Sequence, residues 1–550
     1  MIVQQAQPVR QPNSIRRAWD WILRHEAAQE PYPMGLSGRV SLEITLVMAI
    51  VYACVMAAYM IGRNATFATH GEDLGIMDQV LWNTSHGHFM IETICNPITD
   101  VNCVGDSSPL ALSRFAIHFE PILIPLSLLY LVWPSVNLIL ALQAVVVASG
   151  VIPIWLIAAR RLRNPWWGVP FAALFLAYPP IIAALTDDFH PETLAVTILL
   201  WAFYFLTIRR YRALVVCLGL ALLCKETMAL DVMAFGAFVA LIHRRWRLGL
   251  GIIAAAALTL GLALGLMHAL SPLGHSPVSG RISYFLPDLL HNPVATISGL
   301  LHDPTRRSYL VKLLAPFGFL PLLAPWVAAL ALPSVALNFL SSDPSMYSAK
   351  YQYNTDIAAV FIVAAIDALA WILPLLVVGF NAARNQLARV DTPRWLAALR
   401  RPWIAWLALA IILVPALIAG LGPQANHIYQ KFAVSQAWPI ATAHDQLGET
   451  IAAEIPQGAS VSAQSTLAPH VSERAAIYQF PSGDTSADYV FVDIQGGDYY
   501  PFLSRTAYVN EIKALVQSGD FHVVRADDGY LLLRRDPGAG VPQLPPAFFP

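Results

Sequence analysis

Five short polar runs interrupt a chain that is otherwise largely apolar, and each gathers residue types able to handle protons, phosphates or hydroxyls. The first is His70-Gly71-Glu72-Asp73-Leu74-Gly75. It offers Asp73 as a general base or a metal-binding carboxylate, although a carboxylate at the start of a helix also serves simply to cap its free amides. The second, His118-Phe119-Glu120-Pro121, offers His118 as a further catalytic group. Residues two apart do not share a helix face, so an extended lead-in must present His118 and Glu120, with Pro121 opening the helix behind them; a polar collar at a helix mouth is the plainer reading. The third, Asp187-Asp188-Phe189-His190-Pro191-Glu192, has Pro191 placed to begin a helix, so Asp188, His190 and Glu192 line one short turn. Such a turn suits substrate hydroxyls or a divalent cation such as Mg or Mn, and it also suits a plain polar connection. Asp73, Asp188 and Glu192 are therefore the candidate metal ligands.

The fourth run is Lys225-Glu226, set in the apolar stretch 213–243. It reads as an internal ion pair, as a break between two short spans, or as a point charge held ready for a phosphate. The fifth is the tyrosine-rich segment 341–356, in which Tyr351 and Tyr353 either anchor at the interface or line a headgroup pocket.

These residues need a scaffold, and composition says of what kind. Of 550 residues 57% are hydrophobic and 13% charged, with mean hydropathy +0.55 and a net charge of 34 − 35 = −1. A soluble domain carries about 25% charged residues. Lipid must therefore solvate much of this chain, which argues against a soluble enzyme, a disordered chain and a nucleic-acid binder. The sequence predicts an all-α polytopic membrane protein of about 10–12 transmembrane helices with a small C-terminal soluble α/β domain. Residues 1–40, with Arg10, Arg16, Arg17, Arg24 and Arg39, form a cytoplasmic N-terminal segment before the first apolar run at 41–61. Residues 41–424 form the membrane domain, and its large first external loop, 62–114, contains an amphipathic helix through Leu74, Met77, Val80 and Leu81. Residues 425–550 form the soluble domain, with strands near 460–463, 489–494, 522–525 and 530–533 and helices near 441–455 and 504–518. No phosphate loop or nucleophile elbow appears in it, so it reads as accessory rather than catalytic.

Arg160, Arg209 and Arg244 each open an arginine cluster that the positive-inside rule places in the cytoplasm, yet counting apolar runs puts the first cluster on the other side. Cys54, Cys217 and Cys224 lie in apolar runs, while Cys95 and Cys103 lie in the first loop and form a candidate disulfide.

Asp73-Leu74-Gly75 with Asp78-Gln79 and Leu81-Trp82, His118-Phe119 with Pro121, Asp188-Phe189-His190-Pro191-Glu192, Cys224-Lys225-Glu226 and Tyr351-Gln352-Tyr353 occur in an order that resembles the predicted bacterial and archaeal membrane proteins grouped as domain of unknown function 2079. The layout of one span, a long loop opening on a carboxylate, many further spans and a soluble tail resembles the GT-C glycosyltransferase superfamily. Glu120 and Thr227 depart from the family pattern, which usually has a small or polar residue at the first position and a third charge at the second. The resemblance implies transfer of a sugar from a polyprenyl-phosphate donor to a glycan or lipid acceptor at the outer face of a prokaryotic plasma membrane. In that scheme Asp73 activates the acceptor, Lys225 and His118 neutralise the leaving phosphate, and Asp188, His190 and Glu192 shape the sugar or cation site. A transporter or flippase of a lipid-linked or small polar substrate uses similar materials, as does a non-enzymatic membrane scaffold. The absence of two related halves in the sequence favours the transferase.

Overall fold

The computed structural model describes residues 35–94, 111–272, 285–387, 438–546 and 548–549. Its membrane part begins with α1 (Leu36–Ala65), a long helix whose apolar Val47, Ile50 and Val51 face outward as lipid-solvated residues do. The chain then makes a π-turn, Gly71–Gly75, followed by the short helix α2 (Ile76–Ser85) and α3 (Leu123–Tyr130). It recrosses through α4 (Val136–Arg161). Next come α5 (Gly168–Leu176) and α6 (Pro179–Thr186), parts of a pair bent by 49° where Pro179 and Pro180 forbid continuation. The bundle continues with α7 (Pro191–Thr207), α8 (Tyr211–Leu222), α9 (Met228–Leu241) and α10 (Trp246–Leu270). Short helices and 3-10 turns, broken by Pro316, Pro321, Pro325 and Pro333, lead to the central α11 (Thr355–Leu387).

Among the described residues four helices are long and apolar enough to cross a membrane, or five if the bent pair counts as one span. This is fewer than the ten to twelve spans expected, and the reason is visible in the breaks. The apolar run 117–133 yields only the eight residues of α3, about 12 Å of helix against a hydrocarbon core of about 30 Å. The expected span at 403–421 lies outside the described residues, as do Cys95 and Cys103.

The short α3 also removes the conflict over the arginines. With 117–133 not crossing, α4 returns the chain to the end of the bundle where α1 begins. There Trp155 donates to Ser41 at 3.3 Å and Trp166 to Ser37 at 2.8 Å. Arg160 lies over the Tyr204 ring at 5.7 Å and Arg245 over Tyr211 at 5.4 Å. All three arginine clusters therefore gather at one end, opposite the polar turns.

The tail is a five-stranded sheet in the order β4-β3-β5-β7-β6, built from β3 (Val461–Ala463), β4 (Ile477–Gln479), β5 (Tyr489–Asp493), β6 (Phe521–Asp527) and β7 (Tyr530–Arg535). The remaining strands, β1 (Ile91–Glu92) and β2 (Leu112–Ser113), pair within the first loop. In the tail β3 runs parallel to β4 and β5, while β7 is antiparallel to β5 and β6. Helices α12 (Ala443–Ala452) and α13 (Arg505–Gln517) accompany it, the first opened by a capping box between Thr442 and Asp445. The sheet is not a free-standing unit. Leu74, Met77, Val80 and Leu81 of the first loop share one buried core with Val461, Leu467, Val471 and Phe491 of the tail. The edge strand β4 is also covered, because Thr93 donates to the Ile477 carbonyl at 2.6 Å and accepts from its amide at 2.9 Å.

Candidate functional site

The site forms where the polar turns meet beneath the tail. Asp73 sits in the π-turn, which the tail holds from above: the Gly71 amide donates to the Ser465 carbonyl at 2.8 Å, and the Ser465 hydroxyl donates to Glu72 at 2.6 Å. Position 71 must be glycine at this approach, since a Cβ there would lie 2.9 Å from the Ala468 Cβ. Two turns further on, Asp78 is fully buried and accepts from the hydroxyls of Ser472 and Tyr130, both at 2.6 Å.

The Asp73 carboxylate faces His190 Nε2 at 3.4 Å, and its side chain remains 45% exposed. His190 presents its Nδ1 to the Asp188 carbonyl at 3.1 Å, so both ring nitrogens face acceptors, an arrangement that favours the doubly protonated ring. The turn itself is fixed by Gln143, whose Oε1 accepts from the His190 amide and whose Nε2 donates to the Asp188 carbonyl. Pro191 then opens α7 at its first position, as the sequence suggests.

Asp188 is buried and accepts from the His70 amide at 2.9 Å, with Arg63 at 3.9 Å. Arg63 also donates to the carbonyls of Thr186 and Ala68, tying the end of α1 to the end of α6. His70 lies between two carboxylates, Asp188 at 3.7 Å and Asp498 of the tail at 3.8 Å. The Asp188 carboxylate beside its ring holds its pKa up at about 9. Burial pushes the neighbouring Glu72 up to about 7, with the Ser465 hydroxyl opposing the shift.

Lys225 and Glu226 occupy the break between α8 and α9. Lys225 meets Glu192 at 2.5 Å and lies 5.4 Å from the Tyr353 ring centre. Glu226 accepts from the Phe119 amide at 2.9 Å and meets His118 Nδ1 at the same distance. The extended segment before α3 thus presents His118 across the break. Glu120 turns the other way, onto Arg114 at 2.8 Å. His118, Glu192, Lys225, Glu226 and Tyr353 all line one pocket enclosing about 670 Å³, part of it open to solvent. Asp73, Asp188, His190 and Tyr351 are not among its lining residues, although His190 and Glu192 flank Pro191 in one turn.

The three candidate metal ligands do not converge. Asp73 faces His190, Asp188 faces Arg63 and His70, and Glu192 faces Lys225. Among the described residues no three histidine, cysteine, aspartate or glutamate side chains form a group able to hold a metal ion. As placed here, Asp73, Asp188 and Glu192 do not fit a Mg or Mn centre.

Sequence reasoning missed Arg63, Arg114, Ser465 and Asp498. The two arginines carry a signal in retrospect, since a cation bordering apolar sequence needs a carboxylate partner. Ser465 and Asp498 carry none, because only the docking of the tail gives them a role.

A family model described as "Predicted membrane protein (DUF2079)" matches residues 63–532. No curated protein matches. Among solved structures the chain is similar to that of ArnT from Cupriavidus metallidurans bound to undecaprenyl phosphate, with 13% identity, a TM-score of 0.46, and coverage of 90% of this chain and 99% of that one. The matched family segment starts at the arginine that clamps Asp188 and runs into the last strand of the tail, so it takes in the whole site, and the chain belongs to the DUF2079 family of predicted membrane proteins.

Proposed function

We propose that this protein is a membrane glycosyltransferase that moves a sugar from a polyprenyl-phosphate donor to a glycan or lipid acceptor. The observation that carries the reading is a half-open carboxylate, Asp73, and a buried cation, Lys225, whose partners His190 and Glu192 stand on either side of Pro191 in one turn. In the reaction Asp73 takes the proton of the acceptor hydroxyl as that oxygen bonds to the anomeric carbon. The bond from this carbon to the phosphate oxygen breaks, and its electron pair leaves with the polyprenyl phosphate. Lys225, as a compact point charge, and His118 neutralise that phosphate. His190 orients Asp73 and favours its ionised form until the proton arrives. The positive-inside rule makes the arginine-rich end of the bundle cytoplasmic, so the site and the tail face outward from the cell membrane.

The test is mass-spectrometric analysis of the purified full chain incubated with a panel of polyprenyl-phosphate sugars and membrane extract, comparing wild type with Asp73→Asn. Donor consumption and a glycosylated product with the wild type alone are expected. An unaltered donor across the panel, retained tightly by folded protein, would replace transfer with transport or binding.

A further inference from the structure

The pocket beside Lys225 has two ends of different chemistry. At one end stand its basic side chains, Lys225 facing Glu192 and His118 facing Glu226. At the other, oxygens lack donors. Glu192 gives Oε2 to Lys225 and leaves Oε1 buried without a hydrogen-bond partner, and Gln352, 6% exposed, leaves its Oε1 in the same condition. Both residues line the pocket. So does Asp356, whose carboxyl group interacts with that of Asp231. Asp231, 3% exposed and outside the pocket lining, accepts at Oδ1 from Ser334 at 2.7 Å.

A buried acceptor without a donor is costly, so whatever completes this pocket brings hydrogens to share. A carboxylate entering the same space would meet carboxyl oxygens as a like charge. We infer that the pocket holds the transferred group of the donor and selects a neutral polyol, whose hydroxyls donate to Glu192 Oε1 and Gln352 Oε1 beside Asp356, and rejects an acidic sugar. This inference rests on the glycosyltransferase reading and narrows its substrate to one chemical class.

The experiment compares three ligands on the full-length protein in lipid nanodiscs: a polyprenyl-phosphate hexose, the matching hexuronate oxidised only at C6, and polyprenyl phosphate alone. Native mass spectrometry reads the affinities. The hexose is expected to bind at least about tenfold more tightly than the hexuronate, a ratio within reach of one matched hydroxyl against one buried like charge. Gln352→Leu should weaken the hexose by about tenfold and leave bare polyprenyl phosphate unchanged. Asp356→Asn should narrow the gap between hexose and hexuronate. A hexuronate that binds as well as the hexose, while bare polyprenyl phosphate also binds, overturns the inference and leaves the transferase reading standing. No binding of any of the three overturns both.

Discussion

Two buried ion pairs occupy opposite ends of the same bundle and differ in their surroundings. Arg161 and Asp367 meet at 3.0 Å with side chains 5% and 0% exposed, at the end where the arginine clusters gather. Lys225 and Glu192 meet at 2.5 Å at 9% and 6%, beside the pocket. Helix α11 connects the two regions: Asp356 in its first turn lines the pocket, and Asp367 lies 367 − 356 = 11 residues further on, roughly 16 Å along the axis. Inside a packed bundle a charge pair fixes how helices sit against one another. On a cavity wall, a pair of similar chemistry is placed to meet a third party.

The largest effect expected from this contrast is on folding. Arg161→Leu leaves Asp367 without its arginine in the core and should cost about 3–5 kcal/mol, read as a fall in the unfolding midpoint in detergent. Adding Asp367→Leu should restore much of that loss. A single substitution without effect would end the distinction between the two pairs. At the other end the damage should fall on rate: Asp73→Asn is expected to slow transfer by about 10²- to 10⁴-fold with the unfolding midpoint unchanged.

A smaller effect separates the two cations by type. Lys225→Arg keeps a positive charge facing Glu192 but replaces a compact ammonium with a planar fork, so turnover should fall by about tenfold while stability stays near wild type. Arg161→Lys should leave turnover as it is, and equal losses in both variants would contradict the assignment.

The smallest effect is a pH dependence of the contact between the tail and the Asp73 turn. His70 has a folded pKa of about 9, above its ordinary 6.5, so its contribution is complete below 6.5 and is lost as pH rises through 9. Glu72 is raised to about 7 from 4.5, so its contribution is complete below 4.5 and declines as pH rises through 7, in the same direction. Hydrogen exchange over residues 461–480 should therefore quicken, beyond the intrinsic pH effect, between pH 6 and pH 9.5. Tighter protection at the higher pH would reverse the sign and remove His70 from the contact.

Much of the site is legible in the sequence, for stated reasons. Pro191 marks the start of α7 and so places Asp188, His190 and Glu192 in one turn. Lys225-Glu226 marks the break between α8 and α9, where two charges at membrane depth find the ends of other segments as partners. The span count is less legible, because hydropathy registers an apolar run and not its length as helix; prolines and the brevity of α3 decide that. The three-residue β4 escapes notice for a similar reason, being too short to show alternation. The tail reads as accessory because its role lies in contacts nearly 400 residues away, Ser465 with Glu72 and Ser472 with Asp78. Local pattern carries no trace of such pairs.

That separation has a consequence for how the protein is made. The hydroxyl of Thr93 that covers β4 is bonded to a residue 384 positions later. A ribosome adding about 5–20 residues per second needs roughly 20–80 seconds to supply it. For more than half of that interval Asp73, His190 and Lys225 have all been synthesised, yet the turn that carries the first of them lacks the carbonyl and hydroxyl of Ser465 that hold it. The polar centre is thus completed only by the arrival of the tail, which gives the nascent chain a built-in delay between entering the membrane and becoming competent.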